Sequence, residues 1–269
     1  MLSFALPTPP LVRRARKRIH DAASRGVSLL LPESCVACGG ELPLAATDTP
    51  SPGPFCEPCA GDLQLFGGDC CERCGAPLVS VSSNSSEAAT TLPCGSCRDQ
   101  RWRFDEAIAA GEYGGLLRSL TLRAKDASEE AVALSLGELM WRRSAERLRE
   151  IAPDAVASVP MHWRRRLARR TNAPELMAEV IADRLGVPFA PRLIERVRAT
   201  RRQPTLARSQ RLPNVRAAFR AGWGHQLKAA RIVLVDDILT TGATCSEAAR
   251  SLKRAGAAQV VVVVAARSL

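Results

Sequence analysis

The sequence predicts an α/β protein with a parallel sheet, preceded by a small cysteine-rich module. Two observations carry this prediction. Nine of the ten cysteines lie between positions 35 and 97. From Trp102 onward, helical patterns of apolar residues alternate with short apolar runs, and such alternation is typical of βαβ units with parallel strands. We therefore divide the chain into a tail of residues 1–30, a cysteine-rich module of residues 31–100 and an α/β domain of residues 101–269.

The tail is basic and carries only a short apolar patch. Its charged run spans Arg13 to Arg18, and the apolar patch spans Val27 to Leu31 without a convincing cleavage site. The pattern favours a basic amphipathic helix or tail over a secretory signal, and hence a cytoplasmic protein with no membrane insertion. The basic face is either simply solvated or a weak contact for nucleic acid.

Eight cysteines form four Cys-x-x-Cys pairs, with 17 residues between the first two pairs and 19 between the last two. This spacing is typical of zinc ribbons, in which two thiolate pairs complete one tetrahedral site. Disulfides are the alternative, and they require an oxidising compartment. We predict two structural Zn²⁺ sites, with the ligands Cys35, Cys38, Cys56, Cys59, Cys71, Cys74, Cys94 and Cys97.

Two cysteines fall outside the pairs. Cys70 precedes Cys71, and we assign Cys71 as the ligand because it preserves the two-residue gap, although the two could exchange roles. Cys245 stands alone after a turn at the start of a predicted helix. It is either a small buried residue or a thiol whose pKa is lowered by the helix N-terminus.

The α/β domain can be followed element by element. Its apolar patterns predict two helices between Leu116 and Leu148 with a break near Asp126, a strand from Ala155 to Val159, a helix after Asn172, a strand from Pro188 to Ile194, a long basic loop to His225, a strand from Ile232, a helix ending near Gly256, and a last strand from Gln259 to Ala265. Helices and strands alternate, which predicts right-handed crossovers within one parallel sheet.

The segment from Ile232 to Thr244 joins a buried strand, two carboxylates and a turn rich in threonine and glycine. Asp236 and Asp237 come at the end of the strand, where open α/β sheets bind their ligands. The turn leads into a helix whose first N–H groups have no partners within the helix, so the turn can bind a monophosphate. The spacing of Thr244 and Glu247 predicts a capping box at the start of that helix.

The chemistry of this segment suits a sugar phosphate. Ionised carboxylates accept hydrogen bonds and bind hard cations, so Asp236 and Asp237 suit vicinal hydroxyls or Mg²⁺. A ligand with a phosphate at one end and a diol at the other is a ribose 5-phosphate. Paired aspartates also occur in receiver-type domains, and a turn of this kind can be only a helix cap. The sequence contains neither a P-loop nor a Gly-x-Gly-x-x-Gly fingerprint, which argues against those two kinds of nucleotide site.

The positive charge of the chain is concentrated in one segment. Pro160 to Arg220 contains fifteen arginines and no lysine against four acidic residues, whereas the whole chain has a net charge of +11. The planar guanidinium fork suits phosphate oxygens, so this segment is suited to a pyrophosphate, a nucleic-acid backbone, or both. A solvated arginine-rich face is the alternative.

The run from Asp236 to Thr244 resembles the signature of type I phosphoribosyltransferases that binds 5-phosphoribosyl 1-pyrophosphate (PRPP). The order of the surrounding strands, helices and loops is also similar to the core of that family. The resemblance implies that PRPP binds together with Mg²⁺. It implies catalytic roles for Asp236 and Asp237 and a pyrophosphate-binding turn that begins at Pro160. The residues implied to contact PRPP or its phosphates are Leu239, Thr240, Thr241, Gly242, Ala243, Thr244, Pro160, Arg164 and Arg166.

The double zinc ribbon followed by this core is similar to the competence protein F (ComF) family, from about Leu29 to the end of the chain. The similarity extends to the loop from Gln203 to Phe219. Two segments depart from the usual family pattern. Arg169 to Ala173 keeps only the asparagine of Arg-Gly-aromatic-Asn-Gln, and Ala124-Lys125-Asp126 replaces Leu-Lys-Tyr. The fold class expected is α/β, a type I phosphoribosyltransferase-like core with a parallel sheet preceded by a small double zinc-ribbon module.

The family resemblance implies a role in DNA uptake and natural transformation, in which single-stranded DNA is handled together with helicase and recombination-mediator proteins. Three functions are therefore open. The first is a phosphoribosyltransferase, a glycosyltransferase with an unknown acceptor. The second is a non-catalytic accessory protein for single-stranded DNA. The third is a regulator that binds PRPP or a nucleotide without turnover.

Overall fold

The computed structural model describes residues 34–42, 54–78, 94–161, 172–200, 206–222 and 227–269. The predictions for residues 1–30 and for Arg164 and Arg166 lie outside these residues. The chain forms two compact units, Met1–Gly61 and Asp62–Leu269. Among the residues described, no helix has both the length and the apolar character needed to cross a membrane.

The described part of the first unit is a cysteine turn followed by a short helix. Cys35 donates its backbone N–H to the carbonyl of Gly40 at 2.7 Å, and Gly39 donates to the carbonyl of Cys35 at 2.7 Å. These two bonds close the chain tightly around the first Cys-x-x-Cys pair. Helix α1, Glu57–Asp62, follows Cys56 and carries Cys59 in its first turn.

The second unit contains a parallel sheet of four strands. The strands are β1 (Glu106–Glu112), β2 (Ala155–Ser158), β5 (Arg231–Leu239) and β6 (Gln259–Arg267). Their order across the sheet is β1-β6-β5-β2, and each neighbouring pair is parallel. Strands β3 (Ile194–Arg196) and β4 (Phe219–Ala221) form a separate antiparallel pair. The predicted parallel sheet is confirmed, and the central position of β5 places its acidic residues between two neighbouring strands.

Five helices surround the sheet in the described part of this unit: α2 (Gly115–Arg123), α3 (Glu130–Ile151), α4 (Ala173–Leu185), α5 (Arg208–Val215) and α6 (Ala243–Arg254). Ile232 and Leu234 of β5 share one apolar cluster with Leu252 of α6. Side chains alternate between the faces of a strand, so Val233 and Val235 lie on the opposite face, where α4 contacts β2 and β5. Helices therefore cover both faces of the sheet.

The predicted break between α2 and α3 is present. Residues Ala127–Glu129 form a 3₁₀ turn, and the Asp126 side chain accepts a hydrogen bond from the Ser128 backbone N–H at 3.1 Å. This bond satisfies an N–H group that the helical ladder does not use.

The structure departs from the predicted strands in two places. The predicted strand from Pro188 to Ile194 is wrong, because Phe189 makes only an isolated bridge to Val156 and β3 begins at Ile194. Pro188 at the start of this segment and Pro191 in its middle lack the N–H that a longer ladder needs. Strand β1 was not predicted, since its sequence Glu-Ala-Ile-Ala-Ala-Gly-Glu has little β propensity. Residues Glu106–Glu112 form a strand because they pair with β6.

Candidate functional site

The paired cysteines gather into two tetrads, and the four sulfur atoms of each lie within 4.8 Å of one another. The sulfur atoms of Cys38 and Cys56 are 3.7 Å apart, and those of Cys71 and Cys97 are 3.8 Å apart. A tetrahedral site with Zn–S bonds of about 2.3 Å places its sulfur atoms about 3.8 Å apart. A disulfide needs about 2.05 Å, and the described cysteines are unbridged. Both tetrads therefore fit Zn²⁺ and do not fit disulfides.

The two cysteines outside the pairs have other surroundings. The Cys71 thiol belongs to the second tetrad, whereas Cys70 accepts a hydrogen bond from an Arg143 guanidinium nitrogen at 3.2 Å. Cys245 is buried, and its thiol donates to a carboxylate oxygen of Asp236 at 3.5 Å. Burial and that neighbouring carboxylate raise the pKa of Cys245 well above its usual value. A reactive cysteine has a lowered pKa, whereas the pKa of Cys245 is raised.

The two aspartates of β5 face in different directions. Asp237 makes an ion pair with Lys125, whose ammonium nitrogen lies 2.9 Å from a carboxylate oxygen. Asp236 has Cys245 on one oxygen, and its other oxygen accepts the backbone N–H of Asp237 at 2.9 Å. This divergence follows from the alternation of side chains along a strand. Asp237 lies on the side of the loop between α2 and α3, and Asp236 lies on the side of α6.

The surroundings of Asp236 and Lys125 raise the pKa values of both groups. Burial, followed by repulsion from Asp237, raises the pKa of Asp236 to about 8. Burial alone would lower the pKa of Lys125, but attraction to Asp237 and Asp236 outweighs it, and the pKa is raised above its usual value. Burial therefore favours the neutral form of Asp236, whereas the neighbouring carboxylates favour the charged form of Lys125.

The Thr-Gly turn, residues Thr240–Thr244, connects β5 to the N-terminus of α6. Gly242 is the N-cap residue and has a φ of 71°, in the left-handed region that favours glycine. The hydroxyl of Thr241 accepts the Ala243 N–H at 3.4 Å. The predicted capping box is wrong, because α6 has no side-chain cap and the Glu247 carboxylate instead accepts the backbone N–H of Ala217 at 2.6 Å.

The other predicted contact residues lie near this turn. Leu239 is buried, so only its backbone can serve a ligand. Pro160 follows β2 closely, since Val159 donates its N–H to the carbonyl of Val235, one residue before the acidic pair. The structure therefore brings Pro160, the aspartates and the Thr-Gly turn to the carboxyl edge of the sheet. The assignment of these residues as ligand contacts stays a prediction.

Residues that the sequence did not single out also surround the turn. Trp102 donates its indole N–H to the carbonyl of Thr241 at 2.8 Å. Arg267, at the end of β6, is almost fully buried and donates to the carbonyls of Leu239 at 2.9 Å and Thr240 at 2.6 Å. One signal for Arg267 was available, since an arginine ends an otherwise apolar strand. A buried arginine needs several acceptors, which this turn supplies.

Two buried polar atoms at the same edge have no hydrogen-bond partner among the described residues. They are the hydroxyl oxygen of Ser158, at the end of β2, and the side-chain amide nitrogen of Asn172, at the start of α4. Asn172 occupies the predicted N-cap position, but its side chain makes no capping bond. Buried polar groups are normally satisfied, so within the described part of the chain the polar environment of these two atoms is incomplete.

Comparison with known proteins agrees with this arrangement. A family profile described as a double zinc ribbon domain matches residues 26–100, and one described as a phosphoribosyl transferase domain matches residues 175–268. The competence protein F of Haemophilus influenzae is 26% identical over 238 residues, which cover 87% of this chain and 96% of that protein. The DNA utilization protein YhgH of Salmonella typhimurium is 30% identical over 244 residues, covering 90% of this chain and 100% of that protein. The chain belongs to the ComF family.

Similarity to solved structures is weaker. The glutamine PRPP amidotransferase from B. subtilis, complexed with ADP and GMP, superposes on this ComF chain with a TM-score of 0.35. The two share 24% sequence identity over 50% of this chain and 26% of that chain.

We expect Gly242→Ala to destabilise this ComF protein by about 2–4 kcal/mol, because it adds left-handed strain and a steric clash. A Cβ at this position would lie 2.4 Å from the indole nitrogen of Trp102. Gly186→Ala is the matched control, since Gly186 has a φ of +72° and no neighbouring atom within 4 Å of an added Cβ. Urea unfolding of both variants checks this prediction, and equal losses of stability would contradict the proposed contact between Trp102 and the turn.

Proposed function

We propose that the edge formed by β5 and α6 binds a phosphoribosyl ligand, PRPP, together with Mg²⁺. The observation that carries the proposal is the position of the Thr-Gly turn directly after two carboxylates of one central strand. In this arrangement, an anion site at a helix N-terminus and a hydroxyl or cation site lie next to each other. A sugar phosphate presents the matching groups.

In this proposal, the Thr-Gly turn binds the 5-phosphate of PRPP. The N-terminus of α6 carries a partial positive charge, and α6 is twelve residues long, so its dipole is fully developed. Gly242 lets the phosphate approach the backbone, and the hydroxyls of Thr240, Thr241 and Thr244 are suited to further hydrogen bonds.

The two aspartates are suited to different groups of the ligand. Asp237 makes an ion pair with Lys125, so its carboxylate is suited to a cation or to a ribose hydroxyl once Lys125 moves aside. Asp236, with its pKa raised to about 8, can donate a hydrogen bond to a hydroxyl as well as accept one. Bound Mg²⁺ would neutralise negative charge on the pyrophosphate.

We assign the pyrophosphate to the end of β2 and to Arg164 and Arg166, which follow Pro160 in sequence. The side-chain atoms of Ser158 and Asn172, which have no partner among the residues described, support a polar group at this edge. Both atoms can donate a hydrogen bond, which suits phosphate oxygens. Turnover would require an acceptor that attacks the ribose while pyrophosphate leaves, with catalysis mainly by positioning. A regulator that binds PRPP without turnover uses the same contacts.

A second candidate function is the handling of single-stranded DNA. The relatives above are named for DNA utilization and competence. Described arginines lie on the antiparallel pair and α5, and among them Arg220 of β4 is more than half exposed. Contacts of this kind act on the phosphate backbone, and they weaken steeply with salt. A competence helicase or recombination mediator is a further proposed partner.

Calorimetric titration of PRPP with and without Mg²⁺ tests the primary proposal. We expect Mg²⁺-dependent binding to the wild type and at least tenfold weaker binding to Asp236→Asn/Asp237→Asn. Asp154→Asn is the matched control, because Asp154 accepts the Arg231 N–H at the opposite end of the same strands. Equal binding by the wild type and the double variant would reject the role of the acidic pair.

The same protein samples separate the alternatives. Pyrophosphate release with a panel of bases, amines and oligonucleotides distinguishes a transferase from a regulator. A labelled single-stranded oligonucleotide titrated at increasing salt tests the DNA function, and affinity that does not change with salt would exclude backbone contact.

A further inference from the structure

We infer that Arg267 and Trp102 are positioning residues that couple the second cysteine tetrad to the Thr-Gly turn, so that Zn²⁺ and the phosphoribosyl ligand strengthen each other's binding. The inference rests on the proposed function, because it needs a ligand at the turn. It concerns only the second unit, which contains both the tetrad and the turn.

The first connection runs through Arg267. Its Nε donates to the backbone carbonyl of Cys74, a member of the tetrad, at 3.1 Å. The Nη1 of the same guanidinium donates to the carbonyls of Leu239 and Thr240, at 2.9 Å and 2.6 Å. Since the guanidinium is planar and rigid, a shift of the Cys74 carbonyl is transmitted directly to the start of the turn.

The second connection runs through Trp102. Arg73, which lies between Cys71 and Cys74, donates to the Trp102 carbonyl at 2.8 Å and to the carbonyl of Phe104. The Trp102 indole N–H then donates to Thr241 at 2.8 Å, and its ring lies directly against Gly242. The two connections reach successive residues of the same turn.

The cysteine segment itself is attached to the sheet. Ala107 of β1 donates its N–H to the carbonyl of Glu72 at 2.9 Å, and an added Cβ at Gly75 would lie 3.0 Å from the Ala107 carbonyl. Zinc bound by this tetrad would join Cys71–Cys74 to Cys94 and Cys97, whose sulfur atoms all lie within 4.8 Å of one another. Without the metal, the four thiols lose their common partner and the orientation of this segment is no longer fixed.

Thermodynamic linkage makes the coupling reciprocal. If zinc at the second tetrad tightens PRPP binding by some factor, PRPP must tighten zinc binding by the same factor. A zinc ion with no influence on the turn would give a factor of one in both directions. The first tetrad serves as an internal control, because it belongs to the other unit.

The experiment measures release of zinc to a competing chelator from the full chain, with and without PRPP and Mg²⁺. We expect two release phases, of which PRPP slows one by at least about fivefold. The Cys35→Ser/Cys38→Ser variant, which lacks the first site, assigns the slowed phase to the second tetrad. In the same variant loaded with Co²⁺, we expect PRPP to shift the thiolate absorption bands.

Two substitutions test the two connections. Arg267→Lys keeps the charge but loses the fork, and Trp102→Phe keeps the ring but loses the N–H. We expect each variant to bind PRPP. We expect zinc release from each variant to be nearly as fast with PRPP as without it. Arg184→Lys is the matched control, since Arg184 makes a half-exposed ion pair with Glu138 and should leave the slowing unchanged.

The outcomes separate this inference from the proposed function. Failure of the wild type to bind PRPP overturns both. Binding of PRPP with unchanged zinc release and unchanged Co²⁺ bands overturns the coupling alone. Full slowing in both Arg267→Lys and Trp102→Phe overturns the assigned route.

Discussion

Replacing Cys71 by serine is expected to lower the zinc content from two ions per chain to one and to loosen the α/β unit around the second tetrad. Structural Zn²⁺ contributes on the order of 10–16 kcal/mol in zinc-binding peptides, which is comparable with the whole stability of a typical domain. The second tetrad also shares an apolar cluster with Trp102 and Phe104. We therefore expect the loss to extend beyond the cysteine segment to the Thr-Gly turn.

Elemental analysis gives the zinc content, and hydrogen exchange gives the extent of loosening. We expect amide protection to fall at residues 71–78 and 94–97 and at the Thr-Gly turn, and to persist in the middle of β6, which is fully buried. Cys70→Ser is a matched control, because Cys70 is adjacent in sequence but bonds Arg143. One zinc in Cys70→Ser and two in Cys71→Ser would overturn the assignment of Cys71 as the ligand.

Asp236→Asn is expected to make the unliganded protein more stable at pH 8.5 while weakening its binding of PRPP. Burial raises the pKa of Asp236 to about 8 in the folded state. The contribution of this group to stability is therefore greatest below its unfolded pKa of about 4 and is lost as the pH rises toward 8. Asparagine is never charged, so the variant avoids this loss. The difference in the free energy of unfolding is on the order of a few kcal/mol at alkaline pH.

Urea unfolding at pH 6 and pH 8.5 measures this effect. We expect the stability difference between Asp236→Asn and the wild type to grow with pH. Asp237→Asn should behave oppositely and lose stability, since it leaves the partly buried Lys125 without its partner. A wild type and an Asp236→Asn variant that respond equally to pH would show that ionisation of Asp236 does not oppose folding.

Such opposite effects on stability and binding are expected of a functional site. A carboxylate held in a buried position beside a second carboxylate destabilises the fold and remains useful only if a ligand or cation compensates it. Lys125 compensates Asp237 before the ligand binds. In the proposed complex, a ligand group or cation replaces Lys125 beside Asp237. The charge of Asp237 would then be balanced both with and without the ligand.

Much of the fold could be predicted from contiguous patterns. The strand from Ile232, the break near Asp126 and the helix after Asn172 all appear at the predicted places. Strand β1 escaped prediction because its alanines and glycine carry almost no β signal and its pairing partner β6 lies about 150 residues later. The capping box failed since Glu247 found a tertiary partner in Ala217.

The sequence by itself determined the two cysteine tetrads and the acidic strand followed by its turn. These features are encoded by residues close together in the chain, where ligand spacing and helix starts follow local geometry. Only the tertiary structure decided that Asp236 and Asp237 face different neighbours, and that Arg267 joins Cys74 to a turn near Thr240. Cys74 and Arg267 are 193 positions apart, and no local pattern records which buried carbonyls an arginine will reach once the sheet has formed.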